Sequence, residues 1–198
     1  MKKVIILFLS ICMVLPMLTS CSKAPELAEI KPRIEELLAA AVEINDIFYG
    51  AGLPVTGYND GSYYSPVDED AKYQTQAELK VAAAKVYSAD YLRSIDKLMF
   101  EDFVDDEDED ITSPRYREVD GVLYGYMNSD NFIKIVREYD TSTINIIKPS
   151  NGKFVTFEIN SYGYNLNYET QQQEVSWQVI TLQLVYENSV WLLESPTY

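Results

Sequence analysis

Five aromatic side chains in the second half of the chain are the ones best suited to hold a ligand: Tyr124, Tyr126, Tyr162, Tyr164 and Trp177. Each presents a flat apolar face, and the tyrosines add a hydroxyl, at little cost in side-chain entropy. The chain has 16 tyrosines but no histidine. That absence excludes Ser-His-Asp and Cys-His nucleophiles and any zinc site that uses imidazole. A carboxylate base working with a tyrosine oxyanion donor, as in isomerase or cyclase chemistry, needs no histidine. However, no strand sets an Asp or Glu among these five residues. Glu158 alternates with Val155, Phe157 and Ile159, so it points away from their face. The expectation is a binding domain, not an enzyme, with no cofactor.

The acids are numerous but poorly arranged for chemistry. Eight of the ten residues from Glu101 to Asp110 are Asp or Glu. Asp106, Asp108 and Asp110 alternate as calcium ligands do, yet a calcium loop starting at Asp106 needs a glycine at position 111 and a glutamate at 117. The chain has Ile111 and Arg117 there, leaving three weak calcium candidates in a self-repelling run that cannot pack. The whole chain carries a formal charge of −15. Such a body repels nucleic acid and anionic headgroups and favours basic partners or cations.

Lys2 and Lys3 precede an apolar run, Val4–Leu18, broken by Pro16. The run is shorter than the roughly 20 residues of a membrane span and has the layout of an export signal. The residues that end it, Leu18-Thr19-Ser20-Cys21, resemble the lipobox of bacterial lipoproteins. The resemblance implies cleavage before Cys21, acylation of its thiol, and a cell-membrane location facing outward from the cytoplasm. It also implies a signal peptide over 1–20, a polar tether over 21–29 and a single domain over 30–198. Cys12 leaves with the signal, so the mature chain forms no internal disulfide. The partners expected are the membrane, through the lipid, and an envelope protein or wall component; nucleic acid is excluded.

The elements that must position these residues fall into two halves. From Ile30 to Phe48, apolar residues at spacings of three and four predict a helix with Pro32 in its first turn and Gly50 and Gly52 ending it. Leu53–Gln74 is rich in turn formers and reads as a loop carrying Tyr58, Tyr63, Tyr64 and Tyr73. Thr75-Gln76-Ala77-Glu78 is a capping box opening a helix to about Tyr87, and Ser88 caps a third helix through Met99. After Pro114 the pattern alternates. Asp120-Gly121 joins two strands in a hairpin; residues 128–139 fit helix or strand. Strands follow over Thr143–Lys148, Lys153–Ser161, Glu174–Tyr186 and Val190–Glu194, with a tyrosine-rich connection from Tyr162 to Tyr168. In the longest strand, Val175, Trp177 and Val179 share one face and Ile180, Leu182 and Leu184 the other, which predicts a bulge at Val179-Ile180.

The fold class expected is α+β, with N-terminal helices packed on a curved antiparallel sheet. The Ile30–Gly52 helix, the helix pair between Thr75 and Phe100, the Asp120-Gly121 hairpin and the strands from Thr143 to Glu194 together resemble the cone-shaped fold of nuclear transport factor 2 and ketosteroid isomerase. Cystatin-like folds, with one main helix on a sheet, are a related alternative. Ile44–Tyr49, Tyr63-Tyr64 and Gln76–Tyr91 also resemble secreted inhibitors of cell-wall endopeptidases, though only Lys80 and Lys85 stand where a more basic helix is expected. The resemblances imply a tyrosine-lined concavity for an envelope protein, wall fragment or small ligand.

Overall fold

The computed structural model describes residues 23–57, 63–104, 111–127, 137–167 and 172–197. Cys21, Tyr58, Asp106, Asp108, Asp110 and the ambiguous 128–136 stretch lie outside the described residues, and Tyr164 is described by its backbone alone. The described chain is α+β, with three helices, two antiparallel sheets and a short ribbon.

Helix α1 spans Leu27–Tyr49 and buries the expected stripe of Ile30, Ile34, Leu37, Leu38, Ala41, Ile44 and Phe48. It begins before the expected Ile30 because Glu29 Oε2 accepts a hydrogen bond from the Glu26 N–H at 3.1 Å. This is half of a capping box, with glutamate at both ends, whereas the usual signature starts from Ser or Thr. The segment expected as tether to residue 29 is therefore helical from Leu27. Pro32 consequently sits a turn deeper than expected, where it supplies no N–H to the Ala28 carbonyl.

The far end of α1 is closed by residues distant in sequence. The Gly50 N–H donates to Asn45 O and Asp46 O at 3.2 and 3.1 Å. Gly52 adopts a φ of 79°, and a Cβ there would lie 2.3 Å from Arg115 Nη2, so no other residue fits. That guanidinium is buried and donates to Gly50 O at 3.0 Å, setting a cation against the negative end of the helix. Beside it, the Tyr116 hydroxyl donates to Ile47 O at 2.8 Å and accepts from the Leu53 N–H at 3.0 Å.

Helix α2 (Gln76–Ala83) opens with the expected reciprocal cap. Thr75 Oγ1 accepts from the Glu78 N–H at 3.1 Å, and Glu78 Oε2 accepts from the Thr75 N–H at 3.2 Å. The helix stops at Ala83, short of the expected Tyr87. Val86 and Tyr87 are buried as expected, but in a turn and in an extended residue that bridges to Leu193. Ser88 Oγ then accepts from the Tyr91 N–H at 3.1 Å to cap α3 (Ala89–Phe100), which buries Ile95 and Met99.

The expected loop after Leu53 contributes a short strand, β1 (Tyr64–Pro66). Strands β2 (Phe103–Val104) and β3 (Ile111–Thr112) pair across the acidic run, so part of a stretch expected not to pack is a ribbon. Strands β4 (Tyr116–Val119) and β5 (Val122–Tyr126) form the predicted hairpin, with Asp120 and Gly121 at φ 52° and 78°, the left-handed pair that a two-residue turn requires. The first sheet has the order β1-β5-β4.

The second sheet is a meander of β6 (Arg137–Ile147), β7 (Phe154–Asn167), β8 (Gln172–Glu187) and β9 (Val190–Leu193). Its inner residues Val155, Phe157, Ile159, Leu182, Leu184 and Leu193 are buried in a core shared with α1, which packs on β6 and β9. Two expectations are corrected here. The tyrosine-rich stretch from Tyr162 is strand, not connection, because β8 pairs with it residue for residue as far as Asn167. Val179-Ile180 is not a bulge either, since the β7–β8 register is unbroken from Phe154↔Val185 to Asn167↔Gln172. Ile180, Leu182 and Leu184 face the core while Trp177 and Val179 stand exposed on the outer face; a straight strand carries both sets.

The parity switch lies in β6 instead. Asp140 faces Asn160 and Asn145 faces Glu158, which leaves Thr141–Ile144 opposite Ile159 alone. Asp140 Oδ1 accepts from the Ser142 N–H at 3.0 Å, and Thr143 Oγ1 accepts from the Asn160 N–H at 2.9 Å. Side chains thus satisfy backbone groups that the irregularity removes from the ladder. As a result Tyr139 and Ile146, of opposite parity, both pack on the core.

Candidate functional site

The five aromatics do not converge on one site. Tyr124 and Tyr126 belong to β5 in the small sheet; Tyr162, Tyr164 and Trp177 belong to β7 and β8 in the large one. Tyr126 packs beside Tyr63 and Tyr64, with ring centroids 5.9 and 5.1 Å apart. Tyr162 and Trp177 are direct cross-strand neighbours on the outer face, where Trp177 is 66% exposed. The concavity expected to collect them is instead filled by the apolar stripe of α1. Among the described residues no cluster of three or more Cys, Asp or Glu is placed to hold a metal ion. No described helix is long and apolar enough to cross a membrane.

A different recess opens where α1, β6 and the chain's last residues meet. It encloses about 240 Å³ and is lined by Val42, Glu43, Asn45 and Asp46 of α1, Arg137 and Tyr139 of β6, and Thr197. Its floor is a closed polar network. Asn45 Nδ2 donates to Thr197 Oγ1 at 2.8 Å, and the Tyr87 hydroxyl donates to Asn45 Oδ1 at 2.7 Å while lying 2.8 Å from Thr197 Oγ1. The Tyr139 hydroxyl donates to Thr197 O. Burial pushes its pKa up to about 12, against the pull of the Arg137 charge, so it remains a neutral donor at physiological pH.

Like the Oγ of Ser161, which stands opposite Tyr139, Arg137 falls outside this satisfied network. Its Nε is buried with no hydrogen-bond partner. The two carboxylates on the rim are engaged elsewhere: Glu43 pairs with Lys72 and accepts from the Tyr73 hydroxyl at 3.2 Å, and Asp46 Oδ1 accepts from the Ala51 N–H at 3.2 Å. Among the described residues no ion pair holds Arg137. A buried donor left unmade costs about 1–3 kcal/mol, more when it belongs to a charged group. A guanidinium fork is the geometry that receives a carboxylate.

The same recess does not assemble isomerase chemistry. Its tyrosine hydroxyl is spent on Thr197, and Glu43 and Asp46 are both exposed. A larger groove of about 630 Å³ runs between α1 and α2 over Ala40, Ile44 and Val86. There Lys72 and Glu43 neutralise one another at the rim, so the groove has room but no unmet chemical demand.

Sequence reading missed Arg137 because one charged residue at the start of a strand looks like any solvent-facing position. One signal was available. Asn45 stands four residues after Ala41 and three before Phe48, a polar residue on the buried stripe of α1, and such a residue must find buried partners. Its partner, Thr197, lies 152 positions away. No protein-family model matches this chain, and no curated protein does.

Proposed function

We propose that this chain is a lipid-anchored, outward-facing binding domain, without catalytic activity, whose small-ligand site is the Arg137 recess. The carrying observation is the buried Arg137 Nε without a partner beside a polar network that is otherwise complete. A carboxylate on the ligand meets the guanidinium, and an amino group on the same ligand faces the Asp46 carboxylate, which no cation pairs among the described residues, across the rim. The overall charge of −15 opposes capture of a plain anion, so a zwitterion of amino-acid or dipeptide size suits the site better. A volume of about 240 Å³ lies just below the range for drug-sized ligands and agrees with that size.

The anchor is Cys21, acylated after cleavage of residues 1–20. We also group the fold with the nuclear transport factor 2-like and cystatin-like domains, on the support of one long helix laid across an antiparallel meander. Titration calorimetry with free amino acids and dipeptides, each compared with its amidated and N-acetylated form, tests the binding reading. The expected result is binding of the zwitterion, with about tenfold or greater loss on blocking either end or in Arg137→Gln. Equal binding by the amidated ligand, or by Arg137→Gln, sinks it. For the anchor, Cys21→Ala is expected to abolish palmitate labelling and membrane retention; unchanged retention sinks that part separately.

A further inference from the structure

Three stretches of strand edge in the large sheet are treated differently. The outer edge of β6, unpaired among the described residues, carries Arg137, Glu138 and Asp140 and is broken by the irregularity before Asn145. The free edge of β9 is covered by the Val86–Ser88 segment: the Leu193 N–H donates to Val86 O, and the Ser88 N–H donates to Leu193 O, both at 2.8 Å. Charges, irregularities and coverage are the devices by which sheets avoid unwanted pairing. Among the described residues the third edge, from Val175 to Leu182, has none of them. Strand β9 pairs with β8 only from Leu184 to Glu187. Among the described residues no strand lies against β8 before Leu184.

The orientation of the backbone along that open edge can be read from its end. The Gln183 N–H donates to Ser195 Oγ at 2.9 Å and Gln183 O accepts from the Glu194 N–H at 2.9 Å, so Gln183 turns its backbone groups away from β7. The Tyr186 N–H, three residues on, points towards β7 and donates to Lys153 O. With a period of two and an unbroken register, Thr181, Val179, Trp177 and Val175 also direct their N–H and C=O groups at the open edge. Trp177 and Val179 are the same residues whose side chains are 66% and 57% exposed.

We propose that this edge is a self-association surface, on which β8 pairs antiparallel with β8 of a second copy about a two-fold axis at Gln178. Local charge selects the occupant. Val175 to Gln183 contains no charged residue in a chain of net charge −15, so the stretch offers a basic partner nothing and does not repel its own copy. Register selects the axis. With Gln178 opposite Gln178 of the second copy, Trp177 falls opposite the second copy's Val179, and each pair is aligned to exchange two backbone hydrogen bonds. The two exposed side chains then lie side by side on one face, an aromatic–β-branched cross-strand pair. Such a contact is isologous and closes at two chains. It is independent of the Arg137 recess and of the lipid.

Mild oxidation of the full chain carrying Gln178→Cys tests it, with Thr181→Cys and the unsubstituted chain run alongside. Residues opposite one another at a two-fold axis approach within disulfide range, so Gln178→Cys is expected to give a covalent dimer. Thr181→Cys lies opposite Val175 instead and is expected to behave like the unsubstituted chain. Sedimentation equilibrium is expected to show mass rising from one chain towards two between about 1 and 100 µM. Val179→Lys, which adds the charge other edges use as a guard, is expected to hold the chain monomeric, with an unfolding midpoint unchanged at a dilution where the unsubstituted chain is also monomeric. A chain that stays monomeric throughout overturns the proposal, and so does Val179→Lys dimerising as well as the unsubstituted chain. Equal cross-linking of Thr181→Cys overturns the register and with it the two-fold axis.

Discussion

Strands β7 and β8 form one continuous ladder whose two ends have opposite surroundings. At the base, Phe154–Ile159 pairs with Ile180–Val185, and Val155, Phe157, Ile159, Leu182 and Leu184 are all buried against α1 and its neighbours. Beyond Ser161 the same two strands run on, yet Trp177, Gln178 and Val179 are exposed on both faces of the ladder. Hydrogen bonding and register do not change at the boundary; what changes is whether a helix lies beneath. Pairing is therefore decided strand against strand, whereas burial is decided by the reach of the helical layer. The recess with Arg137 sits where that layer runs out, and this is where a polar site can be both walled and open.

The comparison breaks most visibly at the base. Phe157 is fully buried in the middle of the shared core, so Phe157→Ala is expected to cost about 3–5 kcal/mol, read from the urea midpoint at unchanged slope. A loss below about 1 kcal/mol would mean that the base is no better packed than the tip. A smaller effect marks the boundary itself. Tyr139 pairs with Ser161 at the last buried position of the inner face, and burial raises its hydroxyl pKa to about 12. A pKa raised in the folded state contributes stability that is fully present below the unfolded value near 10. That stability is lost as pH climbs through the folded value. The chain is expected to lose about 2 kcal/mol from this group between about pH 10 and 12. Tyr139→Phe is expected to flatten that part of the profile; an identical alkaline slope in the variant would place Tyr139 outside the walled region.

Much of the base was readable in the sequence. The α1 stripe, the Thr75 and Ser88 caps and the Asp120-Gly121 turn each depend on residues within a few positions of one another, and the structure places them as expected. The failures share a cause. The apolar residues on both faces of β8 suggested a bulge because buried and exposed apolar residues look alike in a sequence. Which face the helical layer covers, set by the packing of α1 against β6 and β9, separates Trp177 from Leu182. The true irregularity in β6 carries Asp140, Ser142 and Thr143, polar residues that resemble an ordinary solvent-facing strand until Thr143 is seen to accept from Asn160. The candidate site was least legible. It joins Asn45, Arg137 and Thr197, which no local pattern connects.

The mildest prediction tests the tip directly. Trp177 is among the largest side chains in the protein, and a rule that equates aromatic residues with core would assign Trp177→Ala a cost of several kcal/mol. With two-thirds of its surface already in water, truncation removes little burial. Its cross-strand neighbour Tyr162 keeps its place through the backbone pairing of Tyr162 with residue 177. At a dilution where the chain is monomeric, Trp177→Ala is therefore expected to shift stability by no more than about 0.5 kcal/mol in chemical denaturation. A cost above about 2 kcal/mol would show that the outer face belongs to the monomer's own core. The contrast between the two ends of the ladder would then collapse. Phe157 faces the helical layer at the base of the ladder and Trp177 faces away from it at the tip, so the pair of variants measures how much that layer contributes.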